Sequence, residues 1–395
     1  MKHVGIICEY NPFHKGHAYL LQQVRRAETV ICVMSGSFTQ RGEAAVLPPV
    51  ARAEMALRCG ADLVLELPFP FAAGSARYFA TAGVRALQAL GADTLAFGSE
   101  RADGAALRAA AQRTLEVDFE EKVANVAENA GVAAAYFEAA GTSDAGPNDI
   151  LAVEYVRAIL QGGEALMPYP ILRRGAGYHD TDAENEYPSA TALRRMLAQR
   201  RDVTQGMPAA AAGVLKAWLG ATGWGMPDVR RLGTAMLAML RCMPLPSQNE
   251  KSPLTGGENG IADCGGGLLE RLIRAAAQAV DYDSLCSAAA TKKYTNGRIR
   301  RTLLYLLAGV TQADLAAPPA YLRLLGANER GRAYLAETRK TRTVPVVTRP
   351  SDIAALGKSA ARARRLSEIA EGLYALCFAE GVSPAALITE PPVML

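Results

Sequence analysis

The feature that most constrains this chain is a regular alternation in its first hundred residues. Short apolar runs rich in β-branched residues (4–8, 29–34, 63–67 and 94–97) are separated by segments with helical periodicity (16–28, 49–59 and 75–90). The runs lack the apolar-polar alternation of a sheet with one wet face, so they predict parallel strands covered by helices on both sides. The expected fold class is α/β, a Rossmann-like doubly wound parallel sheet with its ligand site at the carboxyl ends of the strands. Helical patterns at 102–140, 148–160 and 188–199 and a strand at 168–174 extend this unit to about residue 200. Residues 201–310 read as mainly helical, interrupted near 244–267 by a segment rich in Pro, Gly, Ser and Asn that is expected to be a flexible loop. Residues 311–395 read as a small mixed part, with strands at 321–325 and 344–348 and helices at 329–338 and 358–380.

Charge is unevenly spread. The formal net charge is only +4, yet residues 291–365 hold sixteen basic and four acidic side chains, a local +12 that leaves −8 on the remainder. Such polarity predicts that one end of the chain holds nucleic acid, although a solvated basic face would look the same. The seven cysteines are scattered, without a CxxC pair, which suits neither a disulfide frame nor a zinc site. No run of about twenty apolar residues is present to span a bilayer, and the opening MKHVGIICEYNPF lacks the long apolar core of a leader. Together these features predict a soluble cytoplasmic protein without a membrane partner.

The chemistry concentrates in CEYNPFHKGHAYLL, directly after the first strand. His14 and His17 stand three apart at the opening of a helix and therefore share a face. A helix N-terminus presents unpaired N–H groups and a positive dipole end, which suits phosphate. Gly16 permits close backbone approach, and Asn11-Pro12 turns the chain out of the strand. Two imidazoles donating to a triphosphate would stabilise charge that builds as pyrophosphate leaves. HxGH on a strand-to-helix turn resembles the "HIGH" signature of the nucleotidyltransferase superfamily, which includes class I aminoacyl-tRNA synthetases and small-molecule adenylyltransferases. Ser189-Ala190-Thr191-Ala192-Leu193-Arg194 resembles that superfamily's second element, S-x-T-x-I/V-R, with Leu193 in place of Ile or Val. The likeness implies that Ser189, Thr191 and Arg194 meet the phosphates; Ser189 and Thr191 also suit a helix N-cap region.

Further motifs follow in order: MSGSFTQRGEAA at 34–45, ADLVLELPFPFA at 61–72, FGSE at 97–100, PNDILAVEY at 147–155 and RRGAGYHD at 173–180. With EYNPFHKGH they resemble the tRNA(Met) cytidine acetate ligase family, over nearly all of the first two hundred residues. Thr291-Lys292-Lys293-Tyr294-Thr295, with Arg298 and Arg301, is similar to that family's helical RNA-binding portion. The resemblance implies an enzyme that uses ATP to convert acetate into acetyl-adenylate, then passes the acetyl group to the wobble cytidine of elongator tRNA(Met), forming N4-acetylcytidine. It implies contact with the tRNA anticodon arm, and Mg²⁺ accompanying the ATP, although no carboxylate cluster names protein ligands for a metal.

Residue by residue, the implied ATP-binding stretch is Ile7, Cys8, Glu9, Tyr10, Asn11, Pro12, Phe13, His14, Lys15, Gly16, His17, Ala18, Tyr19 and Leu20, joined by Gly98, Asn148 and Arg173. His14 and His17 are the expected catalytic pair, while Lys15 points off their face. Plain structural roles remain open: a turn for Gly98, a helix N-cap for Asn148, a surface charge for Arg173. Arg41, in the loop that also carries Ser35, Ser37, Thr39 and Gln40, is expected to meet RNA or phosphate. Lys292, Lys293, Arg298 and Arg301 are expected to face RNA phosphates, and Tyr294 to stack a splayed base. Tyr178 and His179 lie near enough to Arg173 in sequence to share the site; Asp62, Glu66 and His3 are read as structural or without role. Two rivals stand beside this reading: a small-molecule adenylyltransferase of the pantetheine-phosphate or nicotinate-mononucleotide kind, and a non-catalytic RNA-binding protein on the same fold. The basic appendage argues against the first and the intact HxGH against the second.

Overall fold

In a computed structural model of the chain, residues 1–130, 132–142, 146–174, 188–245, 254–255 and 257–395 are described. Strands β1 (His3–Cys8), β2 (Thr29–Ser35), β3 (Leu63–Leu67), β4 (Thr94–Ser99) and β5 (Met167–Leu172) form the parallel part of one sheet, in the order β5-β4-β1-β2-β3. The order reverses at β1, so the crevice expected of a doubly wound sheet opens between the loops that leave β1 and β4. Although both faces are covered, the strands keep a period of two. Ile7, Ile31, Val33, Leu65 and Leu95 point into one apolar layer, and Ile6, Val30, Cys32, Met34 and Val64 into the other. On the second face lie α1 (Lys15–Gln23) and α2 (Pro49–Arg58); on the first lie the helices Ala76–Leu90 and Pro147–Gln161.

Strand limits fall within about two residues of those read from the sequence. The first helix differs more, stopping at Gln23 rather than at residue 28. Its backbone turns at Val24, and Glu28 and Thr29 already bond to the carbonyl of Lys2, which commits them to the strand that follows.

The last part of the chain does not stand off from the sheet. β6 (Leu322–Ala327) pairs antiparallel with β3, and β7 (Val346–Val347) and β8 (Val393–Met394) pair parallel with β6. A buried Asp62 fixes this junction: its carboxylate accepts from the Val30 amide at 2.8 Å and from the Asn328 side chain at 2.8 Å. Residues 257–267 also depart from the expected flexible loop. Ala262 and Cys264 are fully buried, and the Asp263 carbonyl accepts from Arg298 and Thr302, which satisfies backbone that a Gly-rich segment would otherwise give to water. Residues 246–253 lie outside the described residues.

Close helix-to-strand approach depends on Gly331, where an added Cβ would lie 2.1 Å from the Asp62 carbonyl oxygen; Gly372, in the helix Lys358–Leu376, faces open space. We expect Gly331→Ala to destabilise the fold by about 1–3 kcal/mol and Gly372→Ala to stabilise it by about 0.5–1 kcal/mol. Urea unfolding midpoints moving in opposite directions would bear this out; equal midpoints would refute the packing assigned to Gly331.

Candidate active site

A cavity of about 590 Å³ opens at the carboxyl ends of β1, β4 and β5. Its size suits a nucleotide-sized ligand. Of the stretch from Ile7 to Leu20, the residues that line it are Ile7, Cys8, Glu9, Tyr10, His14, Gly16, His17, Tyr19 and Leu20. The others support them. Asn11 accepts from the Val46 amide at 2.7 Å, and the fully buried Phe13 packs against Tyr10 and His17. Lys15 and Ala18 begin α1 but are not part of the wall, and Pro12 sits in the turn.

His14 is the N-cap of α1. Its Nδ1 accepts from the Gly16 amide at 3.0 Å, while His17 Nδ1 accepts from the His14 amide at 3.2 Å. The two rings stack with centroids 3.6 Å apart. This reciprocal cap occupies one nitrogen on each ring, so each neutral imidazole carries its proton on Nε2 and offers that N–H as a donor. Burial keeps both rings neutral: it pulls His14 down to about 3, helped by Arg173 and Arg194, and holds His17 well below its ordinary value, with His14 and Arg173 adding to the effect. Gly16 is required by contact as well as by approach, because a Cβ there would lie 2.8 Å from His14 Cε1.

Arginines stand near the histidines. Arg173 Nη1 donates to Asn148 Oδ1 at 2.9 Å; Asn148 in turn donates to Glu100 Oε1 at 2.5 Å, and Glu100 also accepts from the Asn148 and Asp149 amides. Asn148 is thus the second residue of its helix rather than the cap, and its side chain aims Arg173. A Cβ on Gly98 would lie 3.2 Å from Arg173 Cγ, so a side chain at Gly98 would crowd the arginine. Arg194 donates to the Asn11 carbonyl at 3.0 Å and to Thr191 at 3.3 Å, and pairs with Glu43 at 3.3 Å. Ser189 caps the helix Ala190–Ala198 by accepting from the Ala192 amide at 3.1 Å. Arg194 therefore backs the turn of the HKGH segment, while Ser189 and Thr191 are not among the cavity-lining residues.

Two further groups complete the wall, and of their residues the sequence singled out Arg301 alone. Arg174 lines the cavity and lies 4.8 Å from the centre of the Tyr19 ring. The start of the helix Asn296–Ala308 contributes Gly297, Arg300 and Arg301. The loop after β2 docks on this helix: Glu43 pairs with Arg300 at 2.7 Å, and Gly42, at φ +69°, lies so near that a Cβ would sit 2.8 Å from the Arg301 amide. Arg41 lines the cavity beside them.

Side chains of residues 292–301 make contacts within the protein. Tyr294 is buried and its hydroxyl donates to the Gly266 carbonyl, so it presents no free face to a base. Arg298 binds the carbonyls of Asp263 and Gly265, and Arg301 pairs with Asp263 at 3.0 Å. Lys293 reaches the Gly266 carbonyl at 3.2 Å. These side chains secure residues 263–266, whose carbonyls have no helix or strand to pair with, and Lys292 alone of the five is exposed without a contact of that kind. Tyr178 and His179 lie outside the described residues.

Comparisons with known proteins accord with this geometry. A family model described as HIGH Nucleotidyl Transferase matches residues 1–383. The chain is similar to the tRNA(Met) cytidine acetate ligase of Syntrophotalea carbinolica, 41% identical over 374 residues that cover 89% of this chain and 86% of that one. It is also similar to the protein of the same name from Limosilactobacillus reuteri, 34% identical with 88% and 90% covered. Crystal structures of Thermotoga maritima TmcAL resemble it over the full length of both chains at 28% identity, with a TM-score of 0.88 for the apo form and 0.87 for the form bound with alpha-thio ATP.

The caps predict an unusual titration. Below about pH 6.5 the unfolded chain protonates these rings while the folded chain refuses the proton. Stability is therefore full above that pH and falls as the pH drops toward 3, the lowered His14 value, at about 1.4 kcal/mol per pH unit for each ring. Of the four histidines, His14 and His17 should show no protonation shift in NMR between about pH 8 and pH 5; an ordinary titration of either would contradict the cap geometry.

Proposed function

Because the chain belongs to the HIGH nucleotidyl transferase family and, within it, to the tRNA(Met) cytidine acetate ligases, we propose that it activates acetate with ATP and transfers the acetyl group to the wobble cytidine of elongator tRNA(Met). The observation that carries this reading is the pair of fixed Nε2–H donors at the mouth of α1, inside a cavity large enough for a nucleotide.

Acetate is a poor acyl donor because its leaving group would be oxide. In the first step an acetate oxygen attacks the α-phosphorus of ATP; the new P–O bond forms as the bond to the β-phosphate breaks, and pyrophosphate departs. Negative charge then grows on the phosphate oxygens. Neutral imidazoles held in place by backbone donors can meet that charge without reorganising. Arg173, aimed by Asn148, and Arg174 add cationic donors to the same cavity. The apolar wall of Ile7, Phe79, Phe97 and Leu151 suits the flat base of the nucleotide. Mg²⁺ accompanies the ATP in this reading, carried by the phosphates; among the described residues no group of three His, Cys, Asp or Glu side chains is placed to hold a metal.

For RNA, the supporting observations are the +12 of residues 291–365 and the cationic cavity mouth of Arg41, Arg174 and Arg300. The anticodon arm would lie across that mouth with its wobble base turned out of the stack toward the adenylate. Phosphate contacts would make affinity fall with salt.

Protein incubated with ATP, labelled acetate and total tRNA should yield labelled N4-acetylcytidine in the nucleoside digest; its absence would refute the assignment. His17→Ala should lower acetate-dependent ATP–pyrophosphate exchange by about a hundredfold or more while tRNA binding in a filter assay stays largely intact. Exchange at the wild-type rate would remove the imidazoles from the chemistry.

A further inference from the structure

The amine that accepts the acetyl group must lose a proton, and the site needs a group to take it. A cytidine N4 lone pair is delocalised into its ring, so attack on the acetyl carbon is slow unless the proton leaves as the N–C bond forms. His14 and His17 cannot serve, because their Nδ1 lone pairs already accept backbone N–H groups and their Nε2 atoms carry protons. Burial holds the Cys8 thiol and the Tyr10 and Tyr155 phenols protonated, well above their ordinary values. Among the described residues that line the cavity, the acidic side chains are Glu9 and Glu43. Glu43 is held in ion pairs with Arg300 at 2.7 Å and Arg194 at 3.3 Å.

Glu9 differs. It stands one residue beyond the end of β1, five before His14, and is partly buried in the cavity wall. Its Oε1 accepts from the Gln40 amide at 2.8 Å, which fixes the carboxylate in place, and it forms no ion pair among the described residues. Its main chain is fixed too, because Arg52 Nη1 donates to the Glu9 carbonyl at 2.5 Å.

Resting on the acetyl-transfer reading above, we propose that Glu9 is the general base of the second step, taking the cytidine N4 proton on its unbonded Oε2. The nitrogen lone pair forms the N–C bond, the bond from the acetyl carbon to the adenylate oxygen breaks, AMP leaves with that electron pair, and the proton passes to Glu9 and then to water. The charged groups around the carboxylate are Arg41 and Glu43 of the loop after β2, Arg194 of the helix Ala190–Ala198 and the buried Arg52 of α2; Glu9 also interacts with Tyr155 of the helix Pro147–Gln161. Burial outweighs the arginines and the Gln40 bond, leaving the carboxyl above its ordinary range and so a stronger base than an exposed one.

The test supplies synthetic acetyl-adenylate to the full chain with tRNA(Met) bearing unmodified wobble cytidine, and follows a single turnover of acetyl transfer across pH. The wild-type rate should rise with pH through the Glu9 titration and then level off. Glu9→Gln, which keeps the bond from Gln40, should transfer about a hundredfold or more slowly and lose that inflection. Glu9→Asp, a carboxylate drawn back by one methylene, should keep the inflection and recover part of the rate. Glu9→Gln within about threefold of the wild type, or slower with the inflection retained, overturns the assignment of Glu9. Failure of the wild type itself to transfer would instead overturn the reading on which the assignment rests.

Discussion

One fully buried guanidinium holds the floor of the site together. Arg52, in α2, donates to the carbonyls of Leu47 at 2.9 Å, Glu9 at 2.5 Å and Gly36. These carbonyls belong to segments that have left β1 and β2 or are about to enter α2, where no ladder or helix partner exists for them. Left unpaired beneath the cavity, each would cost about 1–3 kcal/mol. The buried charge is balanced by the nearby carboxylates of Glu9 and Glu66. A single side chain therefore fixes the starting points of both loops that form the site: the one carrying Glu9 and the histidines, and the one carrying Gln40, Arg41 and Glu43.

On that floor the electrostatics follow from capping. The reciprocal bonds of His14 and His17 consume the nitrogens facing the helix and leave the opposite ones as donors. Burial then keeps both rings uncharged at neutral pH, so they offer fixed dipoles rather than cations. Such groups are well matched to charge that appears only as a bond breaks, because they bind a resting phosphate weakly and need no rearrangement later. The arginines that line the cavity supply the permanent charge, and Glu9 adds a carboxylate to the same wall.

Much of this was legible in the sequence, because it is written locally. Period and length place β1 to β4 and the helices between them, and HKGH after a strand names its own geometry. What was not legible depends on contacts between distant segments. Tyr294 and Arg298 read as RNA contacts because a basic, aromatic run looks alike whether it faces solvent or holds a neighbouring loop; their bonds to residues 265 and 266 leave no mark in the local pattern. Arg52 sits in an ordinary amphipathic helix and carries no local sign of its three carbonyl partners. Likewise, nothing in the spacing around Leu322 reveals that it extends the first sheet, since the pairing of β6 with β3 joins residues more than two hundred and fifty positions apart. The reach of Arg300 to Glu43 is hidden for the same reason.

The most direct measurement is a crystal structure with a non-hydrolysable ATP analogue. The α-phosphate oxygens are expected about 3 Å from the Nε2 atoms of His14 and His17, with Arg173 also against the phosphates. A nucleotide bound away from α1, with both rings still packed against the protein, would contradict that placement.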